Sequence, residues 1–140
     1  MADSQDIDNA LVTRLGADAT LLALAPNGAY WDEAPAGSTR FVVVSLVDED
    51  DVQQFGRRSF ENALYAIEVR MLSTIAGANP KAAAARIDAL LEDQPLTVPG
   101  YAPMAVFRES RIRATEVDAG DTSIRWYRRG GHYRVVMSVS

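Results

Sequence analysis

Residues 41–47 read Phe-Val-Val-Val-Ser-Leu-Val, a β-branched and almost continuously apolar run. Such a run is typical of a strand buried on both faces, so we expect a central strand of a sheet here. A second strand over Ala63–Leu72 alternates between apolar and polar residues. Its apolar face holds Tyr65, Ile67, Val69 and Met71. Glu68 and Arg70 point the other way, which predicts one core face and one face that meets water or a partner.

Helices are predicted on both sides of these strands. Ile7, Leu11 and Leu15 recur every four residues, with Ser4 or Asp6 as a possible cap and Gly16 as the stop. Asp18 is expected to cap a second, short helical turn that Pro26 ends. Asn79 followed by Pro80 predicts the start of a helix over Lys81–Asp93, because Pro fits the first helical position.

The rest of the chain reads as strands and turns. Strands are expected at Ala29–Trp31, Leu96–Val98, Val106–Glu116, Ile124–Tyr127 and Tyr133–Val139. Asp118–Asp121 and Arg129-Gly-Gly-His132 are predicted as turns. The order lacks regular βαβ alternation. It therefore predicts a single α+β domain over residues 1–140, a mostly antiparallel sheet with two helices packed on one face.

Composition excludes several function classes. The chain has 140 residues, no cysteine and one histidine, so disulfide frameworks, zinc ribbons and thiol catalysis are ruled out. Its 19 acids against 14 bases argue against a dedicated duplex DNA or RNA binder. The acidic start and the short apolar runs predict a soluble protein that begins in the cytoplasm, without a signal peptide or a membrane span.

Charge is spread unevenly along the chain. Residues 1–51 carry a net charge of −8, residues 52–103 are neutral, and residues 104–140 carry +3. An acidic front and a basic back could meet head to tail between copies, as in a ring. Alternatively, the two halves neutralise each other within one monomer.

Two charged segments are candidate contact sites. One is the acidic run of Asp48, Glu49, Asp50 and Asp51. It can be a solvated loop, an acidic finger that docks on a neighbour's arginines, or a cation site. It lacks the D-x-D-x-D-G spacing of a calcium loop. The C-terminal strands carry seven arginines, among them Arg125, Arg128 and Arg129. Arginine suits bidentate interface pairs, so an interface is favoured over nucleic-acid contact.

Motifs for catalysis are absent from the sequence. It holds no G-x-G-x-x-G, Walker loop, G-x-S-x-G or H-E-x-x-H pattern. His132 could act as an acid or base, but a lone turn histidine is more often solvent-exposed. We therefore expect no enzyme activity, no catalytic residues, no cofactor and no metal site.

Taken whole, the sequence resembles the tail terminator (tail completion) family of long-tailed bacteriophages over roughly residues 7–140. The resemblance is one of pattern and rests on the opening helix, Gly28-Ala-Tyr-Trp-Asp-Glu-Ala-Pro35, Phe41-Val-Val-Val44, Tyr65-Ala-Ile-Glu-Val-Arg70, the Ala-rich helix of residues 81–91 and Tyr133-Arg-Val-Val-Met137. Many members place a proline directly before the apolar strand, where this chain has Arg40.

The resemblance implies a virion protein at the head-proximal end of the tail, assembled in the host cytoplasm. It implies a homo-oligomer, a hexameric ring, that caps the tail tube, stops tube-protein addition and presents a surface to the head-tail connector or neck protein. Contact with a membrane or with a specific nucleic-acid sequence is not implied. The contact residues expected under this reading are Asp48, Glu49, Asp50, Asp51, Phe55, Arg57, Arg58, Arg125, Arg128 and Arg129.

Two alternatives stay open at this point. Another phage neck or head-closure protein would share the ring-forming, non-catalytic character. A small bacterial ligand-binding or enzymatic α+β domain would instead need a pocket with convergent polar groups.

Overall fold

A computed structural model describes residues 4–54, 57–99, 101 and 103–137. Its elements in chain order are α1 (Ser4–Gly16), α2 (Ala19–Leu24), β1 (Ala29–Trp31), β2 (Arg40–Gln54), β3 (Arg57–Leu72), α3 (Pro80–Leu91), β4 (Gln94–Leu96), β5 (Met104–Val117) and β6 (Arg125–Met137). The predicted α+β class is confirmed, with strands as the larger part.

The strands form one six-stranded sheet in the order β1-β2-β3-β6-β5-β4. β1 runs parallel to β2, and every other neighbouring pair is antiparallel. The four long strands β2, β3, β6 and β5 therefore alternate in direction across the sheet. Short strands β1 and β4 cover only part of the two outermost long strands.

The helices pack on one face of this sheet and bury its apolar rows. Ile7, Leu11 and Leu15 of α1 are all fully buried, as the four-residue spacing predicts. α3 contributes Ala83, Ile87 and Leu91 to the same core, which faces the alternating row Tyr65, Ile67, Val69 and Met71 of β3. Each fully buried Leu or Ile contributes about 1.5–3 kcal/mol, so this single layer holds the helices to the sheet.

The predicted caps Asp18 and Asn79 are confirmed. The Leu21 amide donates to the Asp18 carboxylate at 2.8 Å, and the Ala82 amide donates to the Asn79 side chain at 3.1 Å. Asp18 also receives two hydrogen bonds from the guanidinium of Arg86, at 2.8 and 2.6 Å. The Arg86 hydrogen bond is the main cause that lowers the pKa of Asp18 to about 2. One carboxylate thus caps α2 and ties it to α3.

Two buried tyrosines join the helices to the sheet through polar bonds. The Tyr65 hydroxyl on β3 donates to Asp8 of α1 at 2.5 Å, and the Tyr133 hydroxyl on β6 donates to Asp88 of α3 at 2.9 Å. Burial raises the pKa of both tyrosines well above the usual range. These bonds satisfy polar atoms that the packed layer would otherwise leave without partners.

Strand β2, which contains the apolar run of residues 41–47, departs from its prediction in position and in burial. β2 is second from the edge of the sheet, not central, because only the three-residue β1 lies outside it. Residues Phe41 to Val44 are buried on both faces, but Leu46 and Val47 are 40% and 52% exposed. Burial ends where β1 ends, since nothing in the described chain covers the strand beyond that point.

The predicted Arg129-Gly-Gly-His132 turn is wrong. Residues Arg125–Met137 form one continuous strand, so the two short strands expected there are a single β6. A Cβ on Gly130 would lie 2.0 Å from the Ile67 carbonyl oxygen, and one on Gly131 would lie 2.8 Å from that of Ser110. The glycines mark close approach of neighbouring backbones within the sheet, not a chain reversal.

Other boundaries shift by a few residues. The strand expected at Leu96–Val98 is Gln94–Leu96, α3 ends at Leu91, and β3 begins at Arg57. The turn at Asp118–Asp121 is confirmed, because the Asp118 carboxylate accepts the amides of Gly120 and Asp121 at 3.0 Å each. Residues 138 and 139 of the predicted last strand lie outside the described residues.

Candidate assembly surface

The acidic run lies on an arm formed by β2 and β3. Among the described residues, the pairing of β3 with β6 extends to Asn62, whereas β2 and β3 are paired as far as Gln54 and Arg57. The expected acidic loop is therefore wrong: Asp48–Asp51 belong to β2, and Asp48 and Glu49 pair with Leu64 and Ala63. Four consecutive acids favour a loop in the sequence, but pairing with β3 overrides that preference.

Irregular pairing accompanies the acidic run. The β2–β3 register shifts between Leu46 and Asp48, leaving Val47 as an extra residue, and it shifts again between Asp50 and Asp51. Such bulges increase twist and re-aim side chains. Asp48 is exposed and Glu49 is half-buried on the helix side, where its charge helps to raise the pKa of Tyr65.

Of the other residues predicted as contacts near the acidic run, the structure describes Arg57 and Arg58. Arg57 and Arg58 belong to β3, opposite Gln54 and Gln53 of β2, and so lie on the same arm as the acids. Phe55 lies outside the described residues. The arm therefore contains the predicted acidic residues and two of the predicted arginines.

Arg128 is held in an ion network on the sheet face opposite the helices. Its guanidinium contacts Glu68 at 2.9 Å and Glu116 at 2.5 Å, and Arg70 contacts the same Glu68 at 2.7 Å. Glu68 is only 3% exposed. A buried carboxylate shared by two arginines makes Arg128 a structural member of the sheet, so internal neutralisation accounts for part of the basic C-terminal segment.

Arg125 and Arg129 have different surroundings. The Arg125 guanidinium donates to the carbonyls of Thr122 and Ile124, and its amide donates to the Ser73 hydroxyl at 2.9 Å. Arg129 pairs with Val69 of β3 and lies on the helix side, where its Nε is buried without a hydrogen-bond partner. The structure therefore does not bring the three arginines together as one patch.

These arginines are also remote from the acidic run of the same chain. On β3, the partner of Arg128 is Arg70, and the partner of Asp48 is Leu64. Six residues of strand separate the two positions, which is about 20 Å at 3.3 Å per residue. Arg128 of the predicted contact set therefore does not meet Asp48 within one described chain.

A cationic groove lies between the start of α3 and the outer strand β5. The groove has a volume of about 250 Å³. Its walls include Ala84, Ala85 and four basic residues: Lys81, Arg111, Arg113 and Arg129. Lys81, Arg111 and Arg113 are exposed, and none of the four forms an ion pair with a described residue. The sequence pattern singled out Arg129 but missed this grouping, because residue 81 and residues 111–113 meet only in the folded sheet.

His132 lies inside β6 and not in an exposed turn. Its Nδ1 is 2.8 Å from the Ser110 hydroxyl, and backbone pairing sets the two residues opposite each other. Ser110 follows Glu109, the extra residue of a bulge in β5. The pair thus bridges β5 and β6 where their register shifts.

The described residues contain neither a metal-binding cluster nor a membrane-spanning helix. No group of three or more His, Asp or Glu side chains there is placed to hold a metal ion. None of the described helices has the length and apolar character needed to cross a bilayer.

Comparisons with known proteins identify the fold. No family model and no curated protein matches the sequence. A solved chain described as part of the virion of a native gene transfer agent particle has 22% identity and a TM-score of 0.62, with 98% of each chain covered. A second solved structure has 14% identity and a TM-score of 0.58, with 100% of each chain covered. This chain therefore shares its fold, from end to end, with a component of a phage-like virion particle.

Proposed function

We propose that this chain is a virion assembly protein that forms a ring, a hexamer, on the end of a phage-type tail tube. The ring stops further addition of tube protein and presents its other side to the head-tail connector. The observation that carries the proposal is the likeness over 98% of both chains to a gene transfer agent virion component. The sequence resemblance to tail terminators supports the finer assignment within that class.

The surfaces of the chain fit an assembly role. A two-stranded arm formed by β2 and β3 carries four acids, while a groove at the other outer strand carries four basic side chains that form no ion pair with a described residue. Large apolar side chains are also exposed on the long strands, including Leu46, Val47 and Val117. Opposite charges at opposite edges of one subunit suit a head-to-tail interface, which closes into a ring.

The proposed partners are other copies of the chain, the tube protein and a connector or neck protein. The arm, residues 48–54 and 57–58, is the proposed contact with the tube or with a neighbouring subunit. Capping a tube end requires surface complementarity and no chemical step, so we propose no catalytic residue, cofactor or metal. We also propose that the protein lies at the head-proximal end of the tail in the assembled particle.

A specific observation bears on the enzymatic alternative. Ser110 and His132 are within hydrogen-bond distance, as a nucleophile and its base would be. A hydrolase would also need a group that orients the histidine and donors for an oxyanion. We propose that the pair is structural, because it joins two neighbouring strands beside the bulge in β5.

The experiment is a tube elongation assay. A phage-type tail tube protein is allowed to polymerise with and without this chain, and tube lengths are measured by electron microscopy. We expect shorter tubes whose mean length falls as the ratio of this chain to tube protein rises. Asp48→Lys on the arm should weaken the effect, whereas Glu33→Lys in the exposed loop after β1 should not. Unchanged tube lengths at saturating protein would refute tube capping.

A further inference from the structure

We propose that the open edge of β2 pairs with the open edge of β5 in a neighbouring copy, so that one continuous antiparallel sheet runs from subunit to subunit. This inference rests on the proposed ring and names the surface that closes it. It assigns the acidic arm segment to a second copy of this chain and not to the tube.

Two long strand edges lack partners in the described chain. β1 pairs only with Val42 to Val44 of β2, so residues 45–54 have no strand on their outer side. β4 pairs only with Met104 to Val106 of β5, and the Arg108 amide donates to Glu92, so residues 109–117 have none either. The two segments have matching lengths of about 30 Å each.

Soluble proteins usually protect such edges. Short edge strands, prolines, lysines or covering loops prevent sheets from joining. Here the open segments contain no proline and no lysine, and they expose Leu46, Val47 and Val117 at 40%, 52% and 53%. A strand added to an edge satisfies its free amides and carbonyls and covers apolar side chains of this kind.

Strand direction is correct for antiparallel pairing. β2, β3, β6 and β5 are successively antiparallel, so β2 and β5 run in opposite directions. A second copy placed beside the first in the same orientation therefore presents its β5 antiparallel to β2. This contact uses two different surfaces and is head to tail.

The charges of the two edges are complementary. Residues 45–54 contain four acids and no base. On β5, Glu109 and Glu116 are engaged by Arg134 and Arg128, which leaves Arg111 and Arg113 as the charges without an ion pair in the described chain. The groove beside them adds Lys81 and Arg129, whose Nε is buried without a partner.

One register of the proposed β2–β5 pairing places side chains from the same face of the sheet opposite each other. Glu49 pairs with the buried core residue Ala63, and Arg113 pairs with Arg129, which is opposite the core residue Val69. Glu49 and Arg113 therefore both belong to the helix-side row of the sheet. A register that sets residue 49 opposite 113 also sets 51 opposite 111, and it brings Val47, the extra residue of the β2 bulge, next to Thr115. Opposite charges directly across antiparallel strands are favourable, and the register places two acids opposite two arginines.

The test is a disulfide between copies. The chain has no cysteine, so Val47→Cys combined with Thr115→Cys introduces the only thiols. The double variant is oxidised both as free protein and after it is mixed with tail tubes. A non-reducing gel should then show a ladder of disulfide-linked oligomers whose largest member is the complete ring. Neighbouring positions in 45–48 and 113–117 test adjacent registers. A matched control replaces Thr13 and Ala23, exposed on α1 and α2, and should give no ladder.

Charge reversal provides an independent readout. The Arg111→Glu, Arg113→Glu variant should be monomeric by light scattering under conditions where the wild-type chain associates. Combining it with Glu49→Arg and Asp51→Arg in one chain should restore association, because both members of each proposed charge pair are then reversed. Arg111 and Arg113 are exposed, and far-ultraviolet circular dichroism checks that each variant is folded.

The outcomes separate this inference from the proposed function. A ladder together with tube capping supports both, and a ladder without capping supports the edge contact but refutes the terminator role. Capping without any ladder in the panel, with Arg111→Glu, Arg113→Glu still active, overturns the edge pairing while the function stands. Failure of both experiments overturns both, and a disulfide between Val47→Cys and a cysteine introduced into the tube protein assigns that edge to the tube instead.

Discussion

Replacing Glu68 should show how strongly the buried ion network holds the sheet face opposite the helices. Glu68 is 3% exposed and accepts from Arg70 Nε at 2.8 Å and from Arg128 Nε at 3.0 Å. Glu68→Gln keeps the size of the side chain but removes its charge. It also turns an amide donor toward one of the guanidinium groups, so two arginines share a single oxygen acceptor.

The magnitude follows from the burial of the partners. Removing one member of a fully buried pair costs about 3–5 kcal/mol. Here the side chains of Arg70 and Arg128 are 37% and 25% exposed, so water can replace part of the lost contact. We therefore expect a loss of about 2–3 kcal/mol, below the fully buried range. In a domain of this size the melting temperature should fall by about 6–10 °C.

The matched control is Glu116→Gln. Glu116 contacts the same Arg128 but is 53% exposed, so its loss should cost at most about 1 kcal/mol. Urea unfolding followed by circular dichroism gives both free energies of unfolding. Equal values for the two variants, within about 0.5 kcal/mol, would refute the argument that burial of Glu68 decides the strength of the network.

Three further predictions concern stability. Gly130→Ala should cost about 3 kcal/mol or more, because its Cβ would lie 2.0 Å from the Ile67 carbonyl oxygen; a melting temperature equal to that of wild type would contradict the close strand approach. Tyr65→Phe should cost about 1–3 kcal/mol in urea unfolding by removing the buried bond to Asp8, and a change within error would mean that the bond adds nothing. Asp18→Asn should keep the cap but lose the ion pair, about 1 kcal/mol at neutral pH. Since the pKa of Asp18 is lowered from 3.8 to about 2, its contribution is present above pH 4 and disappears as the pH falls toward 2, so the variant and wild type should converge there; a difference that persists at pH 2 would refute this assignment.

The helices and the core rows were predictable because each depends on local signals. The spacing of Ile7, Leu11 and Leu15 and the caps Asp18 and Asn79 specify helices without reference to the rest of the chain. The alternation in β3 likewise identifies its core face. These features need only the helical and strand periods and the hydrogen-bonding needs of helix ends.

The extents of the strands were not predictable from local signals. Asp48–Asp51 and Gly130-Gly131 both favour turns, yet both lie inside paired strands. Their conformation is set by partners far along the chain, such as Leu64 for Asp48 and Glu68 for Gly130. The cationic groove and the two open edges are invisible in the sequence for the same reason, because strand order decides them.

The most direct measurement of the proposed role is cryo-electron microscopy of tail tubes assembled with this chain. The account predicts additional ring-shaped density at one tube end, with a mass near six times 15.2 kDa and a sheet continuous around the ring. Tubes with bare ends, or with the chain bound along their length, would contradict the claim that it is a terminator.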